Sequence, residues 1–122
     1  MRTQTGGDTS SKKNRRMDGC VDSCIECYKV CTETLPHCLE LGGRHAEASH
    51  ITLLLNCARI CQLSADFMLT GSPLHVHTCK ACAEICQQCA DDCASMTDDE
   101  QMKRCAEICK RCAESCRQMS VH

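Results

Sequence analysis

Residues 79–93 read CKACAEICQQCADDC, with cysteines at Cys79, Cys82, Cys86, Cys89 and Cys93. The steps are 3, 4, 3 and 4, the spacing that keeps side chains on one face of an α-helix. A strand would need a period of two, and none is present. Working outward, Cys105, Cys109, Cys112 and Cys116 repeat the pattern with steps of 4, 3 and 4. Upstream, Cys20, Cys24, Cys27, Cys31 and Cys38 follow with steps of 4, 3, 4 and 7, and Cys57 and Cys61 mark one more segment. All 16 cysteines therefore fall on the a/d seams of four amphipathic segments.

The punctuation between the segments agrees. Gly42–Gly43 suits a helix C-cap and turn. In Thr70-Gly71-Ser72-Pro73, Gly71 is placed to end the second helix, Ser72 to cap the third and Pro73 to take its first position. Thr97 with Glu100 reads as a capping box ahead of the fourth helix. The predicted helices run roughly 17–41, 44–70, 73–95 and 98–119. Pro36, inside the first, removes a backbone bond to Thr32 and is expected to kink it. Short connections make neighbours antiparallel. The expected fold is all-α, an antiparallel four-helix bundle with a cysteine-lined core over 17–119, preceded by a disordered polar tail over 1–16. The second helix, ITLLLNCARICQLSADFML, is apolar on more than one face, which predicts that it meets another subunit.

The totals narrow the function. The 122 residues fit one domain, and a formal charge of −2 gives no field suited to nucleic acid or an anionic membrane. No window is apolar enough to span a bilayer. Residues 1–19, MRTQTGGDTSSKKNRRMDG, lack the apolar stretch of a secretory signal, and the Arg15–Arg16 pair is followed by none either. The expectation is a cytosolic chain with reduced thiols, and clustered reduced thiols bind metal.

Other uses of cysteine fare worse. Leu or Ile would fill the same seams with more buried apolar area. Helix neighbours three or four apart have Cβ atoms about 5–6 Å apart, too far for the roughly 3.5–4.5 Å of a disulfide. Iron–sulfur ligation has its own loop spacing and a terminal Cys-Pro, absent here. Four i, i+3 pairs (Cys24/Cys27, Cys79/Cys82, Cys86/Cys89 and Cys109/Cys112) leave zinc or cadmium open. The long uninterrupted rows favour Cu(I), which accepts two or three soft ligands and is bridged by thiolates into clusters. No carboxylate–histidine constellation points to an enzyme.

The CxxxCxxCxxxC rows at 20–31, 82–93 and 105–116 resemble those of the bacterial four-helix-bundle copper storage proteins, and the missing signal resembles their cytosolic branch. The resemblance covers about residues 17–119. It implies a homotetramer of bundles, each storing many Cu(I) ions. About one ion per cysteine, roughly 16 per chain, is expected if thiolates bridge.

Antiparallel order places Met17, Cys20, Met68, His75, Cys79, Cys116 and Met119 at one end, with His77 close by. His75, His77 and Met119 are the candidate ligands added to the cysteines, and this end is the expected mouth for copper. The opposite end holds Cys38, Leu41, His45, His50, Leu53, Leu54, Met96 and Met102. Leu41, Leu53 and Leu54 are expected to plug it. His37, His45 and His122 are expected at the surface.

Overall fold

The computed structural model describes residues 11–96 and 99–120, with side chains from Arg15 onward. Helix α1 spans Ser11–Leu41, α2 Ala48–Leu69, α3 His75–Ala94 and α4 Glu100–Met119, and one 3-10 turn, Gly43–Ala46, joins α1 to α2. Each helix packs against its neighbours in sequence, and α1 against α4 closes the ring. Sulfur contacts fix the antiparallel sense. The partner of the α1 row falls from Cys116 at Cys20 to Cys105 at Cys31. Between α2 and α3, Cys57 meets Cys86 and Cys61 meets Cys82. The expected antiparallel four-helix bundle with a cysteine-lined core is the observed fold. No helix among the described residues is long and apolar enough to cross a membrane.

The start of every helix differs from the sequence expectation, and α2 opens at Ala48 rather than at 44 because Gly43–Ala46 form the 3-10 turn. Helix α1 starts at Ser11 rather than Met17, so the expected disordered tail is helical over 11–16. Lys and Arg are good helix formers, and Arg15 and Arg16 stay exposed, so nothing opposes continuing the helix outward. Residues 1–10 of that tail lie outside the described residues. Helix α3 starts at His75, because Ser72 and Pro73 form a turn in which the Leu74 N–H donates to the Ser72 hydroxyl at 3.1 Å. Helix α4 is capped by Asp99, whose carboxylate accepts the Met102 N–H at 2.8 Å. The expected cap, Thr97, lies outside the described residues.

Gly71 ends α2 as read. Its φ of 73° is left-handed, which lets the Ser72 N–H reach back to the Phe67 carbonyl at 3.0 Å. Pro36 does not end α1, which runs on to Leu41.

All 16 cysteines are buried, none more than 1% exposed. Helix α1 lacks a seam cysteine between Cys31 and Cys38, and Thr34, fully buried, stands there instead. Its hydroxyl donates to the Val30 carbonyl at 2.7 Å and accepts from Gln101 at 2.8 Å. The seam of α2 reads His50, Leu54, Cys57, Cys61, Ser64 and Met68, all buried, in steps of 4, 3, 4, 3 and 4. Beside the seams, Ala58, Ala65, Ala83, Ala90 and Ala113 are buried. Such small residues let helices approach closely enough for short cysteine side chains to meet across the axis.

Candidate metal centre

An S–H of a cysteine reaches little beyond its own helix, so a core built of them brings sulfurs together only where the helices are close. Across α1 and α4, Cys24 Sγ lies 3.5 Å from Cys116 Sγ, and Cys31 Sγ lies 3.5 Å from Cys109 Sγ. Across α2 and α3, Cys57 and Cys61 each lie 3.5 Å from Cys86. The diagonal is also closed: Cys61 Sγ is 3.8 Å from Cys112 Sγ, and Cys57 Sγ is 4.0 Å from Cys109 Sγ. All 16 thiols are free. An ion about 2.3 Å from each sulfur holds them about 3.8 Å apart when tetrahedral and about 4.0 Å apart when trigonal. The observed spacings need little movement to accept such an ion.

Five groups of thiols lie with all their sulfurs within 4.8 Å of one another. They link in order along the axis. The trio Cys20/Cys79/Cys116 shares Cys116 with Cys24/Cys82/Cys112/Cys116, which shares Cys82 and Cys112 with Cys61/Cys82/Cys86/Cys112. That set shares Cys61 and Cys86 with Cys27/Cys57/Cys61/Cys86, which shares Cys27 and Cys57 with Cys27/Cys31/Cys57/Cys109. Cys105 continues the path from Cys109 at 4.0 Å to Cys93 at 3.7 Å. The arrangement is one continuous column of sulfur in which most thiols have partners on both sides. It is not a set of closed four-ligand cages.

The network polarises its members. The Cys27 and Cys82 thiols are held below the ordinary range, because neighbouring thiols, first Cys109 and Cys112 respectively, hydrogen-bond to their sulfurs. Cys105 is lowered in the same way by Cys109 and Cys31. Cys116 is pushed up chiefly by Cys112, and Cys31 chiefly by Cys105. At the ends, Cys79 is pushed up to about 12: the Cys116 contact favours its thiolate, but the Cys20 contact and burial outweigh it. Burial alone is the main cause that pushes Cys38 up to about 11.

The three non-cysteine candidates are placed differently. Met119 is buried at 6% exposure, with Met17 and Met68 packed at the same end of the core. His75, half-buried, opens α3, and its Nδ1–H donates to the Ser72 carbonyl at 2.8 Å, which leaves Nε2 as the basic nitrogen. His77 is exposed on α3.

The opposite end departs from its expected leucine plug. Leu54 is fully buried and Leu53 packs on the core, but Leu41 is half-exposed. His50, 2% exposed, occupies the α2 seam instead. Its Nε2 lies 3.3 Å from Cys38 Sγ, and its Nδ1 lies 2.6 Å from Asp92 Oδ2. Cys38 Sγ is in turn 3.6 Å from Met102 Sδ, and Met102 is fully buried. The sequence reading did not include His50 among the ligands. The signal that finds it is its seam position, seven before Cys57, as Cys38 is seven after Cys31. Among the histidines expected at the surface, His37 is half-buried and lies 3.0 Å from Asp99, His45 is half-buried, and His122 lies outside the described residues.

Known proteins share this chain's sequence and shape. The family model for copper storage protein matches residues 13–121. A protein of Nitrosospira multiformis has a solved structure that is 44% identical, with a TM-score of 0.82, covering 88% of this chain and 96% of that one. The Cu(I)-bound copper storage protein BsCsp3 is 36% identical with a TM-score of 0.80, covering 87% and 99%; the apo form of that protein is described as coming from Bacillus subtilis. A cytosolic copper storage protein from Streptomyces lividans, solved with five coppers, is 25% identical with a TM-score of 0.75, covering 87% and 92%.

Proposed function

The chain belongs to the copper storage protein family, and on that premise we propose that it stores Cu(I) in bulk on the thiolates of its core. The observation that carries this reading is the overlap of the five thiol groups into one column. A thiolate shared between neighbouring groups is a bridging ligand, and bridging lets each sulfur serve two ions while each ion takes two or three sulfurs. Twelve cysteines belong to these groups and Cys93 and Cys105 extend the column, while Cys38 and Cys89, equally buried, complete the proposed set of 16 ligands. Copper is cargo here, taken up and given back, and the reading assigns the chain no catalysis.

Each Cu⁺ that replaces a thiol proton leaves the core neutral, which removes the cost of burying a bare thiolate. Zinc or cadmium is the competing cargo, and the geometry separates the two. At most two of the four-thiol groups can be chosen without a shared member, for example Cys24/Cys82/Cys112/Cys116 with Cys27/Cys31/Cys57/Cys109. Tetrahedral divalent ions in closed sites would therefore stop at about two per chain. Anaerobic titration of the reduced protein with Cu(I), and separately with Zn(II), against chelators of known affinity tests this. Saturation near 16 Cu(I) and near two Zn(II) is expected. Saturation of Cu(I) at two to four ions means discrete sites and ends the storage reading.

Copper reaches the column at the His75 end. The half-buried imidazole of His75, together with Met17, Met68 and Met119 of the core, offers weaker ligands ahead of Cys20, Cys79 and Cys116. His77, exposed beside it, is the outer collecting group. The storage domain covers residues 17–119, and the part of α1 before Met17 lies outside the storage function. The chain works in the cytosol, as the Streptomyces relative is described to do. It assembles as a homotetramer through the outer face of α1 and α2. That face carries Ile25 at 42%, Leu55 at 38% and Leu63 at 44% exposure, with Tyr28 and Leu35 lining a groove between the helices. A monomer by light scattering at micromolar concentration would refute the assembly.

A further inference from the structure

The seam of α2 carries two thiols, Cys57 and Cys61, and then a serine. Ser64 is fully buried, and its hydroxyl has no hydrogen-bond partner. We propose that Ser64 is a positioning residue for copper held by the Cys20/Cys79/Cys116 group: its hydroxyl donates to a thiolate of that group that serves a single ion, Cys20 or Cys79, and bonds no metal itself. The proposal rests on the copper reading and adds to it a hydrogen-bond donor that is not a ligand.

Antiparallel register places the hydroxyl. Cys61 on α2 lies 3.7 Å from Cys82 on α3, so Ser64, three residues on, stands level with Cys79, three residues back. Cys57 on α2 lies 3.8 Å from Cys27 on α1, so Ser64, seven residues on, stands level with Cys20, seven residues back. Steps of three and seven both keep to one face of a helix. Helices α1, α3 and α4 each give one thiol to this group, and α2 gives none. Thr34, the other fully buried hydroxyl on a seam, is already committed, donating to the Val30 carbonyl and accepting from Gln101. A serine inside a helix can likewise donate to the carbonyl four residues back. Ser64 makes no such bond, so its proton is available to a sulfur.

Charge explains why a donor belongs there. A thiolate shared between two groups divides its charge between two ions. Cys116 is shared with the next group, whereas Cys20 and Cys79 belong to this group alone. Thiolates that outnumber the Cu⁺ they hold leave excess negative charge in the core. Among the described residues no Lys or Arg is buried to offset it. An O–H aimed at such a sulfur makes a charge-assisted hydrogen bond, the stronger kind. The hydroxyl oxygen is a hard donor, while Cu(I) selects soft sulfur, so the oxygen stays out of the coordination. The hydroxyl turns about its Cβ–Oγ bond to reach the sulfur, and its proton stays on oxygen.

The test compares wild type with Ser64→Ala, each loaded anaerobically with Cu(I) to saturation. Capacity should be equal, because Ser64 supplies no ligand. Under excess chelator, the most readily removed copper should leave Ser64→Ala about 10-fold more readily, the effect of losing one hydrogen bond to a charged group. Before loading, the variant should resist urea at least as well as wild type, since it sheds an unpartnered buried hydroxyl. A role in packing alone would instead lower that resistance, and that result overturns the proposal. Superimposable removal curves also overturn it. In a crystal of the loaded wild type, Ser64 Oγ should lie within hydrogen-bond reach of Cys20 or Cys79 Sγ. A copper ion bonded to Oγ, or an Oγ with no sulfur in reach, overturns the proposal and leaves the storage reading intact. Saturation of both proteins at two to four ions overturns the storage reading and this proposal with it.

Discussion

Loading copper into a core of thiols must expel protons, and the structure sets how many. Ten thiols, namely Cys24, Cys31, Cys38, Cys61, Cys79, Cys86, Cys89, Cys93, Cys109 and Cys116, are pushed above the ordinary range. The remaining six, Cys20, Cys27, Cys57, Cys82, Cys105 and Cys112, are pulled below it by hydrogen bonds from their neighbours. At pH 7.5 a thiol such as Cys38, at about 11, is ionised less than about once in a thousand molecules. If the six lowered thiols were all thiolates before loading, copper would release ten protons for 16 ions, about 0.6 per ion. If burial keeps those six protonated too, the ratio is about 1.0. The prediction is a release of about 0.6 to 1.0 protons per Cu(I). It is measured by pH-stat titration of weakly buffered, reduced apo protein, corrected for the chelator that carries the copper. A ratio below about 0.3 would mean a core ionised before copper arrives, and would refute the picture of a hydrogen-bonded thiol column.

Three further outcomes follow from single features. The reduced apo protein should lose stability as pH rises from about 9 to 11. The folded Cys38 thiol, at about 11, lies above its unfolded value near 9, so its contribution is complete below pH 9 and is lost as pH passes through about 11. With allowance for water at the bundle end, that contribution is about 1–2 kcal/mol, and urea melts of Cys38→Ser should show an alkaline loss smaller by that amount. Replacing Asp99 by Ala should cost about 1 kcal/mol in thermal or urea unfolding, because the Met102 N–H loses its cap. Replacing His75 and His77 by Ala should slow copper uptake in stopped-flow mixing and leave final capacity nearly unchanged, while overlaying traces would exclude a part for them in uptake.

The column of sulfur was legible because its spacing carries two messages at once. Steps of 3 and 4 state a helix, and repeating them on four segments states which faces turn inward. The ring of helices and the burial of every cysteine follow from that. What escaped lies where a seam changes residue type. Thr34, Ser64 and His50 stand at seam positions that a search for cysteine alone passes over, yet all three are buried. His50 was read as one of several histidines near an end, since its Asp92 partner is 42 residues away in sequence. The Leu41 plug was misjudged because it stands at the last residue of α1, where the chain turns outward at Gly42. The two expected caps each moved by two residues, from Ser72 to Leu74 and from Thr97 to Asp99, because backbone geometry decides among neighbouring candidates.

Helical content isolates the scaffold from its cargo. The glycine turn at Gly71, the Asp99 cap and the packed seams are all made by the chain itself, so circular dichroism of the reduced apo protein should already be helical and should change little on loading. The most direct test of the central claim is the number of Cu(I) ions held per chain under anaerobic competition with a chelator of known affinity. The account predicts saturation at about 16, one for each cysteine of the column and its ends, with the helical spectrum unchanged. A plateau at two to four ions, or binding that appears only as a coil becomes helix, would contradict it.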